Sequence, residues 1–347
     1  MPVIKNKIED AVKRLDLDLA GKVVLTEAAT GAYIVTPVIA ALAGAEVYAF
    51  TRDTKYGTVA EVKIHTNELL SQFSDKHLEV TIVDELTPDI ITKADIITNS
   101  GHLRPLDSEK LQHAKRTVVI PLMYEAWEWR DADLDIEHCK KNGIVVGATN
   151  ERHPDVDVFN YLGDMAVKQI FDAGLCPYKN KFVLIANNDF GPYIAKVVAK
   201  ICDGLAVIDK NEHQDRYNFD NVKWLGNFPH VSVPQEYRNA EAIIFTAYPF
   251  DQNWIGENTS LCIKQIRDQF NDPLVLRYAG DIDTAVCDKN NVRYFPAHVH
   301  SGHMGILPSA IGSDPIIRLQ AGGLKVGELL LKNQTTFKEL KLVDLIN

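Results

Sequence analysis

A chain of 347 residues, 46% hydrophobic and 24% charged, is long enough for two domains, each with its own core. Its net charge of −10 argues against non-specific binding to DNA or RNA but leaves room for a small anion in a local basic pocket. The five cysteines form no CxxC pair and are odd in number, which points to a reduced, cytoplasmic protein. No apolar run reaches the roughly 20 residues of a membrane span, and the charged start lacks the apolar core of a signal peptide.

Taken in chain order, apolar periodicity predicts strands at 22–26, 45–50, 79–83, 95–98, 117–120 and 144–147. Helices fall between them, near 33–43, 58–73, 107–113 and 133–142, with Gly21 and Gly44 as end punctuation. A helix over 154–173 follows, with Pro154 in its first turn and Gly174 as its C-cap. A second alternation starts at Phe182, with strands at 182–186, 205–209, 242–247, 274–278 and 292–295 and a helix over 259–270. The tail, 313–345, reads as helix that packs back on one of the domains. Short β-branched runs alternating with helices predict an α/β chain: two Rossmann-like, doubly wound parallel-sheet domains with an interdomain cleft.

Residues 182–209 have the plan of a dinucleotide-binding unit: strand, turn, helix, strand. In a G-x-G-x-x-G frame the glycine positions hold Ala186, Asn188 and Gly191. Gly191 keeps the role of close helix–strand packing, whereas Asn188 puts a side chain where a pyrophosphate approaches. Asp189 complements the helix dipole but repels a phosphate. Asp209 ends the second strand, where an acid binds a ribose hydroxyl and favours NAD over NADP. A working NAD site and a scaffold that binds something else, or nothing, both remain open from these residues.

Asn99-Ser100-Gly101-His102 follow a strand, where ligands bind in such sheets, and are candidate substrate-binding residues. Thr26–Ala32 also ends a strand and opens a helix, either as an anion site or as a capped turn. Three histidines, His298, His300 and His303, fall within six residues. They suit acid–base catalysis or substrate binding; a metal site is the lesser alternative, because no acid-rich cluster or cysteine pair reinforces it. Arg277 is either a carboxylate clamp or a surface arginine, and Asp281 lies just beyond it. Glu151–Asp155 either lines the domain junction or caps a helix.

The order of these features resembles the D-2-hydroxyacid dehydrogenase superfamily, whose formate and glycerate dehydrogenases have two such domains. Pro105–Leu111 looks like the segment after that family's substrate-loop strand, and Asn142–Asn150 is similar to its G-I-x-V-x-N strand. Asn291-Val292-Arg293-Tyr294-Phe295-Pro296-Ala297-His298 resembles the N-V-x-x-T-P-H run that carries its catalytic histidine. The departures are the two lost glycines, an arginine followed by Tyr-Ala-Gly, and too short a stretch from Gly280 to His298 for the family's glutamate.

The resemblance implies a discontinuous substrate domain, 1–150 plus 311–347, and an inserted dinucleotide-binding domain, 151–310. It implies an NAD-dependent oxidoreductase acting on a small, anionic 2-hydroxy or 2-keto acid, with no resident metal. His298 or His300 would be the acid–base residue and Arg277 the clamp, with Asp281 or Asp283 in place of the missing glutamate. A homodimer is the expected assembly. The alternative is a non-redox ligand-binding protein, lyase or transferase on the same scaffold, with a degenerate cofactor site.

Overall fold

The computed structural model describes residues 2–346. The chain divides into two compact units: 1–158 together with 312–347, and 159–311.

The first unit begins with α1 (Pro2–Arg14). Six strands follow: β1 (Val23–Glu27), β2 (Glu46–Phe50), β3 (Glu79–Val83), β4 (Ile96–Ile97), β5 (Val119–Leu122) and β6 (Val145–Thr149). Between them run α2 (Val35–Leu42), α3 (Val59–Ser71), α4 (Pro88–Lys93), α5 (Ser108–Leu111) and α6 (Ile136–Asn142). Sequence signals set these helix ends. Thr58 and Glu61 form a capping box at α3, Asp135 caps α6, and Gly143 closes α6 in a left-handed conformation at φ 70°.

In the second unit α7 (Leu162–Asp172) precedes β7 (Lys181–Ala186), α8 (Phe190–Val198), β8 (Gly204–Asp209) and β9 (Val222–Asn227). Then come β10 (Ala242–Thr246), β11 (Asn253–Gly256), β12 (Leu261–Cys262), α9 (Ile263–Gln269), β13 (Leu274–Ala279), β14 (Asp281–Ile282), α10 (Thr284–Lys289) and β15 (Arg293–Phe295). The chain re-enters the first unit with α11 (Asp314–Leu331), the hairpin β16 (Thr336–Phe337) and β17 (Leu340–Lys341), and β18 (Val343–Leu345).

The first sheet has the order β18-β6-β5-β4-β1-β2-β3. Strands β1 to β6 are parallel, and β18 joins β6 antiparallel, with Val343 opposite Thr149. The second sheet, β15-β13-β10-β7-β8-β9, is parallel throughout. Counting only the parallel strands of each large sheet in chain order, both wind as 3-2-1-4-5-6, the doubly wound order. Their central strands, such as Phe182–Ala186 and Val24–Leu25, are buried along their length, as strands covered on both faces must be. Among the described residues no helix is long and apolar enough to cross a membrane.

Helix α11 is the keystone of the first unit. It packs on β5, β6, α1 and α2, and fifteen of its residues are buried. A Cβ at Gly323 would overlap the Met123 side chain, so only glycine allows so close an approach. Lys325 is buried in the same helix and is held by both carboxylate oxygens of Glu328, at 2.9 and 2.8 Å, and by the Asp16 carbonyl.

The structure corrects the sequence reading at four places. The helix expected over 154–173 begins at Leu162. Residues 151–158 instead stay with the first unit: the Asp155 amide donates to His153 Nδ1, and Asp157 turns the chain at φ 56°. The tail is helical only to Leu331; Lys338 and Glu339 take positive φ and make the β16–β17 turn. Strand β9 and the small parallel sheet β12-β11-β14 have no counterpart in the expectation. Their runs are short or only half-buried, too weak a pattern to read.

Candidate functional site

In doubly wound sheets ligands bind beyond the carboxyl ends of the strands, where the winding reverses. The first sheet reverses between β1 and β4, and four candidate residues, Asn99, Ser100, Gly101 and His102, lie just past β4. A row of hydroxyls crosses this edge: Thr98 Oγ1 donates to Thr26 Oγ1 at 2.8 Å and lies 2.8 Å from Ser100 Oγ. Asn99 Nδ2 donates to the Tyr124 hydroxyl at 3.0 Å.

Arg104 reaches back over this group. Its Nε donates to Asn99 Oδ1 and its NH2 to the Asn99 carbonyl, and the guanidinium lies 4.7 Å from the Tyr124 ring centroid. Glu27, at the end of β1, accepts the His102 amide at 3.0 Å. A Cβ at Gly101 would overlap the Glu27 carboxylate, so this contact requires glycine. Burial raises the Glu27 pKa, against the His102 amide and the charge of Arg104. Burial and the charge of Arg52 hold His102 below the usual imidazole value.

The ends of β5 and β6 add three more carboxyls. Glu125 Oε1 accepts the Glu151 amide at 3.0 Å and lies 3.5 Å from the Arg152 guanidinium. Glu128 Oε1 accepts the Glu125 amide at 3.3 Å. Burial, and then the charge of Glu125, push the Glu128 carboxyl up to about 7. Burial, with Glu128 and Glu125 both near, raises Glu151 well above the carboxylate range. Burial beside Glu27 and Glu151 pushes the Tyr33 hydroxyl up to about 12. The edge therefore combines a guanidinium, hydroxyl donors and a carboxyl that changes protonation near neutrality, which suits proton transfer to a bound substrate.

Sequence reasoning missed Arg104, Glu125 and Glu128 and left Glu27 inside a segment that was either an anion site or a capped turn. The available signal was positional: each follows a strand end of the same sheet.

The second sheet reverses between β7 and β10. Here the turn 186–191 is tied across the reversal. Asn187 Oδ1 accepts the Tyr248 amide at 2.8 Å, and Asn188 Nδ2 donates to Thr246 Oγ1 at 3.0 Å. Ala186 ends β7 fully buried, and Asp189 pairs with Arg216 at 2.6 Å. Asp209 does end β8, but it is 0% exposed and already saturated. Its Oδ2 accepts the Tyr217 hydroxyl at 2.6 Å and lies 2.9 Å from His213 Nδ1, while Oδ1 accepts the Lys210 amide at 2.7 Å. Both side chains come from a 3-10 turn, Asn211–Tyr217. The Tyr217 hydroxyl presses on Gly191, where any Cβ would overlap it.

Asp209 thus spends its carboxylate oxygens on the chain's own Tyr217, His213 and Lys210.

Arg277 is buried and bound to the Asp281 carboxylate and the Gly280 carbonyl. The surface-arginine reading is therefore corrected. Asp281 Oδ2 in turn accepts the Ser301 hydroxyl and the Gly302 amide. This chain of bonds fixes the loop bearing His300 and His303, whose ring centroids are 5.9 Å apart. His298, His300 and His303 are all exposed. Among the described residues no group of three or more His, Cys, Asp or Glu is arranged to hold a metal ion.

Neither a protein-family profile nor any curated protein matches the chain. Solved structures do. The dipicolinate synthase A chain from Bacillus subtilis is similar at TM-score 0.57 and 12% identity, over 91% of this chain and 98% of that one. The transhydrogenase from Sinorhizobium meliloti gives 0.51 and 12%, over 90% and 94%. D-lactate dehydrogenase with NAD+ from Lactobacillus jensenii gives 0.50 and 13%, over 93% and 99%. The chain has the fold these proteins share, as the resemblance to the D-2-hydroxyacid dehydrogenases implied.

Proposed function

We propose that the chain is an NAD-dependent oxidoreductase acting on a small anionic 2-hydroxy or 2-keto acid, with the β1–β4 edge of the first unit as its substrate site. The observation that carries this reading is Glu128, a carboxyl titrating at about 7 on the sheet edge that also holds Arg104 and the Thr26–Thr98–Ser100 hydroxyls. The fold shared with D-lactate dehydrogenase and Asp209 at the end of β8 support the cofactor.

Arg104 holds the substrate carboxylate in this scheme. It takes the clamp role from Arg277, which is committed to Asp281. Asn99 fixes two guanidinium nitrogens and so orients the fork. The Thr26–Thr98–Ser100 hydroxyls, spent on one another, form the floor of the site, with Gly101 and the His102 amide shaping the wall against Glu27. Glu128 exchanges a proton with the substrate hydroxyl. His298 and His300 are the competing acid–base candidates, named by the resemblance alone. When bound, NAD supplies the hydride acceptor, with Asp209, Gly191 and the turn Ala186–Asp189 around its ribose and pyrophosphate.

The test is NADH oxidation with a panel of small 2-keto acids, repeated with Glu128→Gln and His298→Asn. Loss with the first and retention with the second assigns the proton to Glu128; the reverse assigns it to His298. Failure of NAD(H) to bind in calorimetry at millimolar cofactor returns the chain to the non-redox alternative.

A further inference from the structure

A carboxylate at the end of the second strand of a dinucleotide unit ordinarily meets two ribose hydroxyls, both donors. Here Asp209 meets two donors supplied from one short segment, four and eight residues further on. We infer that the 3-10 turn Asn211–Tyr217 is a self-ligand: it occupies the adenosine-ribose subsite, and the ADP-ribose half of a dinucleotide must displace it to bind. The inference rests on the proposed NAD dependence and adds to it the state in which the free protein keeps the subsite.

Three further features fit a displaceable plug rather than permanent core. The turn has only 3-10 hydrogen bonding, the weaker helical geometry. Residues 214–216 within it are exposed, so the turn is fastened mainly by its ends. Apart from the buried Tyr217 and His213, those fastenings are polar. Asn211 is tied by its amide to Asn227 Oδ1 at 3.0 Å, and Arg216 by its guanidinium to Asp189 at the mouth of α8. The Asp189–Arg216 pair also masks the charge that would repel a phosphate there.

Glycine at 191 permits the plugged state, because the Tyr217 hydroxyl lies where a Cβ would be. Binding then costs the fraction of molecules that are open: the apparent dissociation constant is the intrinsic one divided by that fraction.

Trp224 reports the state of the plug, since its ring centroid is 5.8 Å from that of Tyr217. The experiment follows its fluorescence while wild-type protein is titrated with ADP-ribose and, separately, with nicotinamide mononucleotide. A Trp224→Phe control gives the signal of the other tryptophans, which is subtracted. Calorimetry then compares NAD binding to wild type and Tyr217→Phe. The expected result is a Trp224 response to ADP-ribose but not to nicotinamide mononucleotide, with NAD bound about tenfold more tightly by Tyr217→Phe. His213→Leu, which removes the other donor to Asp209, serves if Tyr217→Phe fails to fold and should also bind NAD more tightly than wild type. Equal NAD affinity in wild type and variant, with Trp224 silent, overturns the plug and leaves the NAD proposal standing. No NAD binding by either protein overturns both.

Discussion

The two sheets wind in the same order, yet the edges where they reverse are opposites. At β1–β4 the side chains are polar and strained electrostatically: carboxyls are buried near one another, and Glu128 and Glu151 are held above their usual pKa range. At β7–β10 every polar group is already answered, Asn187 by Tyr248, Asn188 by Thr246 and Asp209 by Tyr217 and His213. An edge with unspent electrostatic free energy has something to gain from a ligand. A saturated edge must first break what it has.

The largest expected effect lies at the first edge. Glu128→Gln keeps the size of the side chain and removes its proton, so kcat falls roughly 10²- to 10⁴-fold in the keto-acid assay, while stability above neutral pH rises because no buried charge forms. Arg104→Lys loses the fork held by Asn99, and KM for the acid rises roughly tenfold or more while kcat changes less. A fall in kcat alone would place Arg104 outside the binding role.

Gly101→Ala comes next, because its Cβ has nowhere to go but the Glu27 carboxylate. Urea unfolding should show a loss of about 3 kcal/mol, against about 1 kcal/mol for Gly31→Ala, where φ is +64° but the space is open. Equal losses would mean that Glu27 yields easily and that the first edge is softer than drawn here. At the second edge, Asn187→Ala removes the bonds to the Tyr248 backbone and costs about 1–2 kcal/mol.

The last effect is the pH slope, which is spread over about three pH units. Glu128 binds its proton more tightly in the folded state than its ordinary value of 4.5 allows. Its contribution to stability is complete below about 4.5 and is lost as pH rises through about 7. Melting measured from pH 4.5 to 7.5 should therefore fall by an amount worth about 2 kcal/mol, with the slope reduced in Glu128→Gln.

Much of the fold was legible because continuous apolar, β-branched runs such as Phe182–Ala186 and Ala242–Thr246 have few alternatives to a buried parallel strand. The tail was not. Phe337, Leu340 and Val343 fall at a helical spacing of three while Leu340 and Leu342 alternate as in a strand, and positive φ at Lys338 and Glu339 has no glycine to announce it. The same limit applies to the sites. Residues 99–102 were legible by position, since a polar run directly after a strand has one place to be. The state of Asp209 was not, because its partners lie in a 3-10 turn without periodicity. Nor was the titration of Glu128, which burial creates and no local motif encodes.

The placement of α11 and β18 has a consequence for how the protein is made. The inserted unit, Phe159–Ile311, is contiguous and can close as soon as it emerges from the ribosome. The first sheet cannot, since β6 awaits its antiparallel neighbour and the strands beneath α11 await their cover. At ordinary elongation rates the first sheet waits roughly 10–40 s from β6 to β18, and the inserted unit hangs finished between its halves for only the last few seconds of that time. The nascent chain is most in need of a chaperone not at its start but while its middle is being synthesised.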